Sequence, residues 1–165
     1  MSIENFRKTA QFMLARGCVT SEELRDFFAA LRPEGSSQLT DETIYSAINN
    51  MNSKLKRYNM MIRASTDDKT QQKFYSLIST VDNWITKEAS HHTPKEFEFF
   101  RLIWQIIREG NIERDKARDL ASSIKLANYE ELLEEWCEKH WLVYERDRDE
   151  YRIGPRSKAE LDVLM

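Results

Sequence analysis

Cys137 and His140 stand three residues apart in a stretch with helical periodicity. A thiol and an imidazole at that spacing could form a nucleophile pair, the histidine drawing the proton from the sulfur. The neighbours argue otherwise. Trp136 precedes the cysteine and Trp141-Leu142-Val143 follows the histidine, so Cys137 reads as a core position. Cys18 likewise sits among apolar residues, and two cysteines make no disulfide framework, which suits a reducing compartment. The remaining soft ligands, His91 and His92, have no Cys-x-x-Cys or His-x-x-x-His spacing to a neighbour, so no zinc site is expected in these residues. Carboxylates fall in solvated runs such as Glu130-Glu131 and Asp147 to Glu150, and four glycines supply no phosphate-cradling loop. No catalytic site is expected.

The other available chemistry is neutralisation of phosphate. Lys54, Lys56 and Arg57 lie on one helical pattern, beside Asn49, Asn50 and Asn52, and Arg63 follows at the start of a hairpin. These four cations are the candidate DNA contacts. A polar helix exterior, with cations near the C-terminus where they suit the macrodipole, accounts for them as well. Net charge adds little support. Residues 1–80 carry 11 Lys and Arg against 9 Asp and Glu, and residues 81–165 carry 14 against 19. Neither half has the basic excess of an independent DNA binder.

The elements that must position these residues appear twice. A helical pattern over Thr40–Tyr58 runs into an apolar strand, Met60–Ala64, a charged turn, Asp67-Asp68-Lys69, and a second strand, Phe74–Ile78. Asn128–His140 runs into Trp141–Glu145, a turn at Asp147–Glu150, and Tyr151–Ile153. Two further helices precede each unit. In the first half Phe6, Ala10, Met13 and Leu14 mark a helix that ends at Gly17, and Val19 starts a short strand. Thr20 with Glu23 is a capping box for a second helix bearing Leu24, Phe27, Phe28 and Leu31. Thr40 or Asp41 caps the third, whose apolar stripe is Ile44, Ile48, Met51, Leu55 and Tyr58.

In the second half Thr93-Pro94-Lys95-Glu96 combines an N-cap, proline at the first helical position and a box glutamate. The helix beyond it carries Phe97, Phe99, Phe100, Leu102, Ile103, Trp104, Ile106 and Ile107 around nearly its whole circumference. That pattern predicts burial on more than one side, by the other half or by a partner. Ile112–Leu126 is expected to be a shorter helix with Ala117, Leu120, Ala121 and Ile124 inward. Asn128 caps a helix with Leu132, Leu133, Trp136 and His140 on one face. Gly154-Pro155 breaks the last strand, and Ala159, Leu161, Val163, Leu164 and Met165 suggest a final helix. Three helices closed by a hairpin make a winged-helix module. The expected fold is mainly α with small β-hairpins (α+β): tandem winged-helix domains at 1–80 and 94–165, with a linker at 81–93. Residues 79–90 are read as a bridge, with a short helix carrying Val81, Trp84 and Ile85.

The third helix of such a module commonly enters the major groove. In the second copy it reads Asn128-Tyr129-Glu130-Glu131-Leu132-Leu133-Glu134-Glu135, and four glutamates would repel phosphates. That helix is expected to be a solvated acidic face or a surface for a basic partner. The apolar first helix (Phe6, Phe12, Met13) and the aromatic fourth (Phe97, Phe99, Trp104) are the candidate partner-binding residues, since buried aromatics dominate most interfaces. No stretch approaches the ~20 apolar residues that span a bilayer, and the N-terminus shows no secretory pattern.

Several short segments carry a resemblance. Phe12-Met13-Leu14-Ala15-Arg16-Gly17, Glu23-Leu24-Arg25, Ile48-Asn49-Asn50-Met51-Asn52-Ser53-Lys54-Leu55, Ile62-Arg63, Thr66-Asp67-Asp68, Tyr75-Ser76-Leu77-Ile78, Glu138-Lys139-His140-Trp141-Leu142 and Tyr151-Arg152-Ile153-Gly154-Pro155-Arg156 follow in order. Together they resemble the non-SMC element one subunit of the Smc five–six chromosome-maintenance complex, and Ile48–Ser53 is the most specific of them. The resemblance implies a nuclear protein with tandem winged-helix domains followed by a zinc-binding RING-like domain. It implies binding to a MAGE-domain subunit, non-SMC element three, which also associates with the kleisin subunit, non-SMC element four. The implied roles are DNA repair, recombination and chromosome maintenance, with ubiquitin-ligase activity seated in the RING-like domain. Two cysteines cannot provide that domain's eight ligands. Zinc as cofactor and ubiquitin transfer are therefore not expected of these residues, which are read as a shortened chain or a homologue without that domain. The alternative reading is a duplex-DNA binder using the first module.

Overall fold

The computed structural model describes residues 1–33, 39–81 and 91–164, with side chains through Glu160. The bridging helix expected around Trp84 and Ile85 lies outside the described residues, as do the side chains of Leu161 to Met165. The first module consists of α1 (Ile3–Arg16), β1 (Cys18–Thr20), α2 (Ser21–Ala30), α3 (Asp41–Leu55), a 3-10 turn (Lys56–Tyr58), β2 (Met60–Thr66) and β3 (Lys73–Ser79). The second consists of α4 (Pro94–Ile107), β4 (Ile112–Glu113), α5 (Arg114–Ser123), α6 (Tyr129–Glu138), β5 (Leu142–Glu145) and β6 (Glu150–Ile153), followed by α7 (Pro155–Leu164). Each module has a three-stranded antiparallel sheet with the hairpin's second strand central, in the orders β1-β3-β2 and β4-β6-β5. This is the mixed, mostly helical architecture of tandem winged helices.

Local signals set the helix starts. Thr20 and Thr93 close complete capping boxes with Glu23 and Glu96, each hydroxyl accepting from the glutamate's amide while the carboxylate accepts from the threonine's. Thr40, rather than Asp41, caps α3 by accepting from the Thr43 amide. Gly17 takes φ +71 at the end of α1, a conformation that favours glycine.

Four sequence expectations need correction. Ile112 and Glu113 are not helical; they pair with Tyr151 and Glu150 as the third strand of the second sheet, and α5 starts at Arg114. Tyr58 falls in the 3-10 turn beyond α3 and is exposed. His140 lies past α6 with φ +62, in the turn that reverses the chain into β5, so it leaves the Leu132–Trp136 face. Most of the aromatic helix α4 is covered by its own module, although Phe97 and Leu102 stay half-buried outside that core. Phe99, Phe100, Ile103, Trp104 and Ile107 pack with Leu133, Trp136, Trp141 and Leu142 in one core, while Glu98, Arg101 and Gln105 form a solvent stripe. Two indoles give this small module enough bulk to bury half the helix circumference.

The two sheets differ in how they are covered. On β3, Tyr75 and Leu77 face the first core with Ile62, Met13, Leu24 and Ile48. Phe74, Ser76 and Ile78 point the other way and are buried too. A strand buried on both faces needs cover on both. Here α1, α2 and α3 supply one side, and α7, which packs across β2 and β3, supplies the other.

Candidate functional site

The DNA candidates do not form one patch. Lys56 and Arg57 are exposed, and Arg57 lies over its neighbour Tyr58, 4.7 Å from the ring centroid. Lys54 sits over the Phe6 ring at 5.3 Å. Arg63 is opposite Ser76 in β2, on the face it shares by strand alternation with Ser65. The Ser65 hydroxyl donates to the Pro155 carbonyl at 2.9 Å, so that face belongs to α7, not to α3.

The first module's wing is also engaged within the chain. Asp67 is buried; its carboxylate accepts from the Lys69 and Thr70 amides (3.0 and 2.9 Å) and from Arg152 Nη2 of the second hairpin (2.8 Å). Arg152 Nε also donates to Glu145, whose other oxygen accepts from Lys69 Nζ, and Lys158 in α7 pairs with Asp68. Burial opposes ionisation of Asp67, but the Thr70 amide and Arg152 outweigh it and hold the carboxyl below its usual range. Lys69, then Arg152, do the same for Glu145. Nearby, Arg156 stacks on Trp141 at 4.1 Å, and its guanidinium would lie 2.7 Å from a Cβ built on Gly17. The His140 ring packs on Phe74, with 5.2 Å between centroids.

No nucleophile emerges at Cys137 and His140. Burial pushes the Cys137 thiol up to about 11, and that of Cys18 likewise to about 11, so both stay protonated near neutrality. Burial also lowers the His140 pKa. Cys137 packs against the second core while His140 faces Phe74 of the first module. Among the described residues, no group of three or more His, Cys, Asp or Glu is placed to hold a metal ion, and no helix is long and apolar enough to cross a membrane.

Of the partner-binding candidates, Met13 and Phe99 have no accessible surface, and Trp104 is buried in the second core. Phe97 is half-buried. Phe12 is half-buried and stacked on Phe27, at 4.2 Å between parallel rings. Phe6 is half-buried on the other edge of α1. There the apolar stripe overruns the core: Ile3 is 74% exposed and Leu14 62%, with Phe6 and Ala10 between them. Sequence reading did not single out Ile3 and placed Leu14 in the helical repeat of α1 without separating its exposed edge from its buried one. The signal was the width of the stripe, broader than one packed neighbour covers. A groove of about 550 Å³ opens near the start of α1, floored by Phe28, Leu31, Leu39 and Ala47. On α6, Glu130, Glu131 and Glu134 are exposed.

The most specific sequence segment, Ile48–Ser53, has a structural task. Asn52 reaches the outer edge of β2, donating from Nδ2 to the Ile62 carbonyl (3.0 Å) and accepting at Oδ1 from the Ile62 amide (2.7 Å). It satisfies backbone groups that an edge strand otherwise leaves open.

Fold and surface together define a tandem winged-helix protein whose first wing is docked on its second module and whose third helices differ sharply in charge. The chain belongs to the family described as the Nse1 non-SMC component of the SMC5-6 complex, whose model matches residues 7–128. A comparison with curated proteins gave no match. Among solved structures, a chain of a structure described as the Nse1-Nse3-Nse4 complex is similar, with a TM-score of 0.76 and 20% identity. The likeness covers 94% of this chain and 70% of that one, and at such identity it establishes the fold.

Proposed function

We propose that this chain is a non-catalytic scaffold that binds a MAGE-domain subunit, non-SMC element three, and through it the kleisin subunit, non-SMC element four. The setting is a nuclear Smc five–six complex serving DNA repair, recombination and chromosome maintenance. Membership of the Nse1 family carries this reading. The likeness to a chain of the Nse1-Nse3-Nse4 complex supports it. So does the exposed edge of α1, where Ile3, Phe6 and Leu14 offer apolar surface to a partner. Phe12 and Phe97, both half-buried, flank the cores and stay in the candidate set; Met13, Phe99 and Trp104 act from beneath by holding α1 and α4 in shape. The family's RING-linked ubiquitin transfer is not a property proposed for these residues. Co-elution of the chain with a MAGE-domain subunit on size exclusion tests the reading. A joint peak that Leu14→Asp abolishes supports it, and separate elution at micromolar concentrations sinks it.

A second reading is duplex-DNA binding by the first module. One observation favours it: Lys56 and Arg57 are exposed, and no acidic residue occurs between Glu42 and Asp67. Lys54, Lys56, Arg57 and Arg63 would carry the phosphate contacts. Salt-dependent binding weakened by neutralising Lys56 and Arg57 supports this reading, and no binding at low salt removes it.

A further inference from the structure

The contact between the modules combines two kinds of interaction with different physical consequences. One is adhesive: α7 lies across the outer face of the first sheet, His140 packs on Phe74, and Ser65 bonds the Pro155 carbonyl. The other is ionic and directional. Arg152 has 11% of its side-chain surface exposed and forks between Asp67 of the first wing and Glu145 of its own hairpin, whose side chains are 6% and 14% exposed. Lys69 from the first wing returns to Glu145, and its backbone amide donates to Asp67, so the ring of four residues closes through the main chain of the first wing. Asp67 cannot swing to follow a displaced Arg152, because the amides of Lys69 and Thr70 hold its carboxylate.

From this geometry we infer that the Asp67–Arg152–Glu145–Lys69 ring is a positioning device that sets the angle between the two winged-helix modules, with Arg152 as its pivot. Buried ion pairs contribute little net stability, because desolvation offsets their attraction, and in some folds their role is to select one arrangement over others. The planar guanidinium requires both acceptors at defined directions, which a point charge does not. Adhesion through α7 keeps the modules together; the ring fixes where they stop. The inference does not rest on the identity of any partner. It means that a ligand touching both modules meets a preset geometry and pays little ordering entropy on binding.

Single-molecule energy transfer tests it, on the full chain with dyes carried by non-natural residues at the exposed positions 53 and 119, one in each module. The unaltered chain is expected to give one narrow distribution. Arg152→Met should broaden it about twofold, because only non-directional packing remains to hold the angle. Near-UV circular dichroism should not change, since neither core is touched. Arg152→Lys, able to satisfy one acceptor at a time, should fall between. A distribution of unchanged width and position in Arg152→Met overturns the inference. Should Arg152→Met fail to fold, Asp67→Asn decides in its place: broadening supports the ring, and an unchanged distribution overturns it.

Discussion

The third helix of the first module, α3, and that of the second, α6, occupy the same place in the same fold and present different chemistry. Along α3 the exposed positions are Asp41 and Glu42 in the first turn, then Tyr45, Ser46, Asn49, Asn50 and Ser53, with Lys56 and Arg57 following in the 3-10 turn. Along α6 they are Glu130, Glu131, Glu134 and Glu138. The hairpins diverge as well. The first is sealed at its outer edge by Asn52 and held at its tip by Arg152 of the second hairpin and Lys158 of α7. The lesson is that a winged helix does not announce a DNA reader. What the third helix and the wing touch decides the role, and here one wing touches protein and one third helix repels phosphate.

The cores offer the largest test of how separate the modules are. Trp136 is fully buried and contacts Phe99 and Phe100 ring to ring. Trp136→Ala is expected to cost about 3–5 kcal/mol, read by denaturant titration. A single transition shifted as a whole shows the modules unfolding together, while an early transition that leaves the Met13 core folded shows them independent.

Gly154 separates the modules' glycine requirements. A Cβ there would lie 2.2 Å from the His140 carbonyl oxygen, a backbone atom that cannot rotate away. Gly154→Ala should cost about 1–3 kcal/mol, as overpacking does. At Gly17 the added Cβ meets side-chain atoms of Arg156 rather than backbone, and φ of +71 imposes a left-handed penalty of about 1–2 kcal/mol. A Gly17→Ala variant that melts well below Gly154→Ala would contradict this ordering.

Next come the caps. Thr20→Ala and Thr93→Ala remove the same box from α2 and α4, and each should cost about 1 kcal/mol. A markedly larger loss at Thr93 would point to the added bond between Asn128 and Glu96, which exists only in the second module.

Acid gives the smallest and most specific effect. Asp67 and Glu145 have carboxyls lowered in the folded chain. Their contribution is therefore complete above the unfolded carboxylate value, about 4, and is lost as pH falls through the lower folded value. Melts between neutral pH and pH 2 should show Asp67→Asn with a shallower acid slope than the unaltered chain. Parallel slopes would mean that Asp67 does not titrate with folding.

Legibility in the sequence followed the range of the interaction. Thr20 with Glu23 and Thr93 with Glu96 are signals four residues long, and both boxes form as read. The hairpins are strong local patterns and were placed to within two residues. Contacts such as Asp67 with Arg152 join residues 85 positions apart, and no periodicity marks them. Phe74, Tyr75, Leu77 and Ile78 did carry a clue, because a strand apolar on both sides demands two covers. On α4 the aromatic count misled: Glu98, Arg101 and Gln105 fall on one stripe, and the indoles of Trp136 and Trp141 fill much of the space assigned to the other half or a partner. Which edge of α1 stays open was beyond sequence reading, since it depends on how wide a strip α2, α3 and the first sheet cover.

Under the proposed function, these paired modules serve protein assembly through the first module's α1 edge. Isothermal titration of the chain with a MAGE-domain subunit, alongside Ile3→Asp and Leu14→Asp variants that keep their melting temperature, tests it most directly. One-to-one binding is expected, weakened at least about tenfold by either charge, as loss of an interface anchor implies. Binding unaffected by both substitutions, or no heat at all with the unaltered chain, would contradict it.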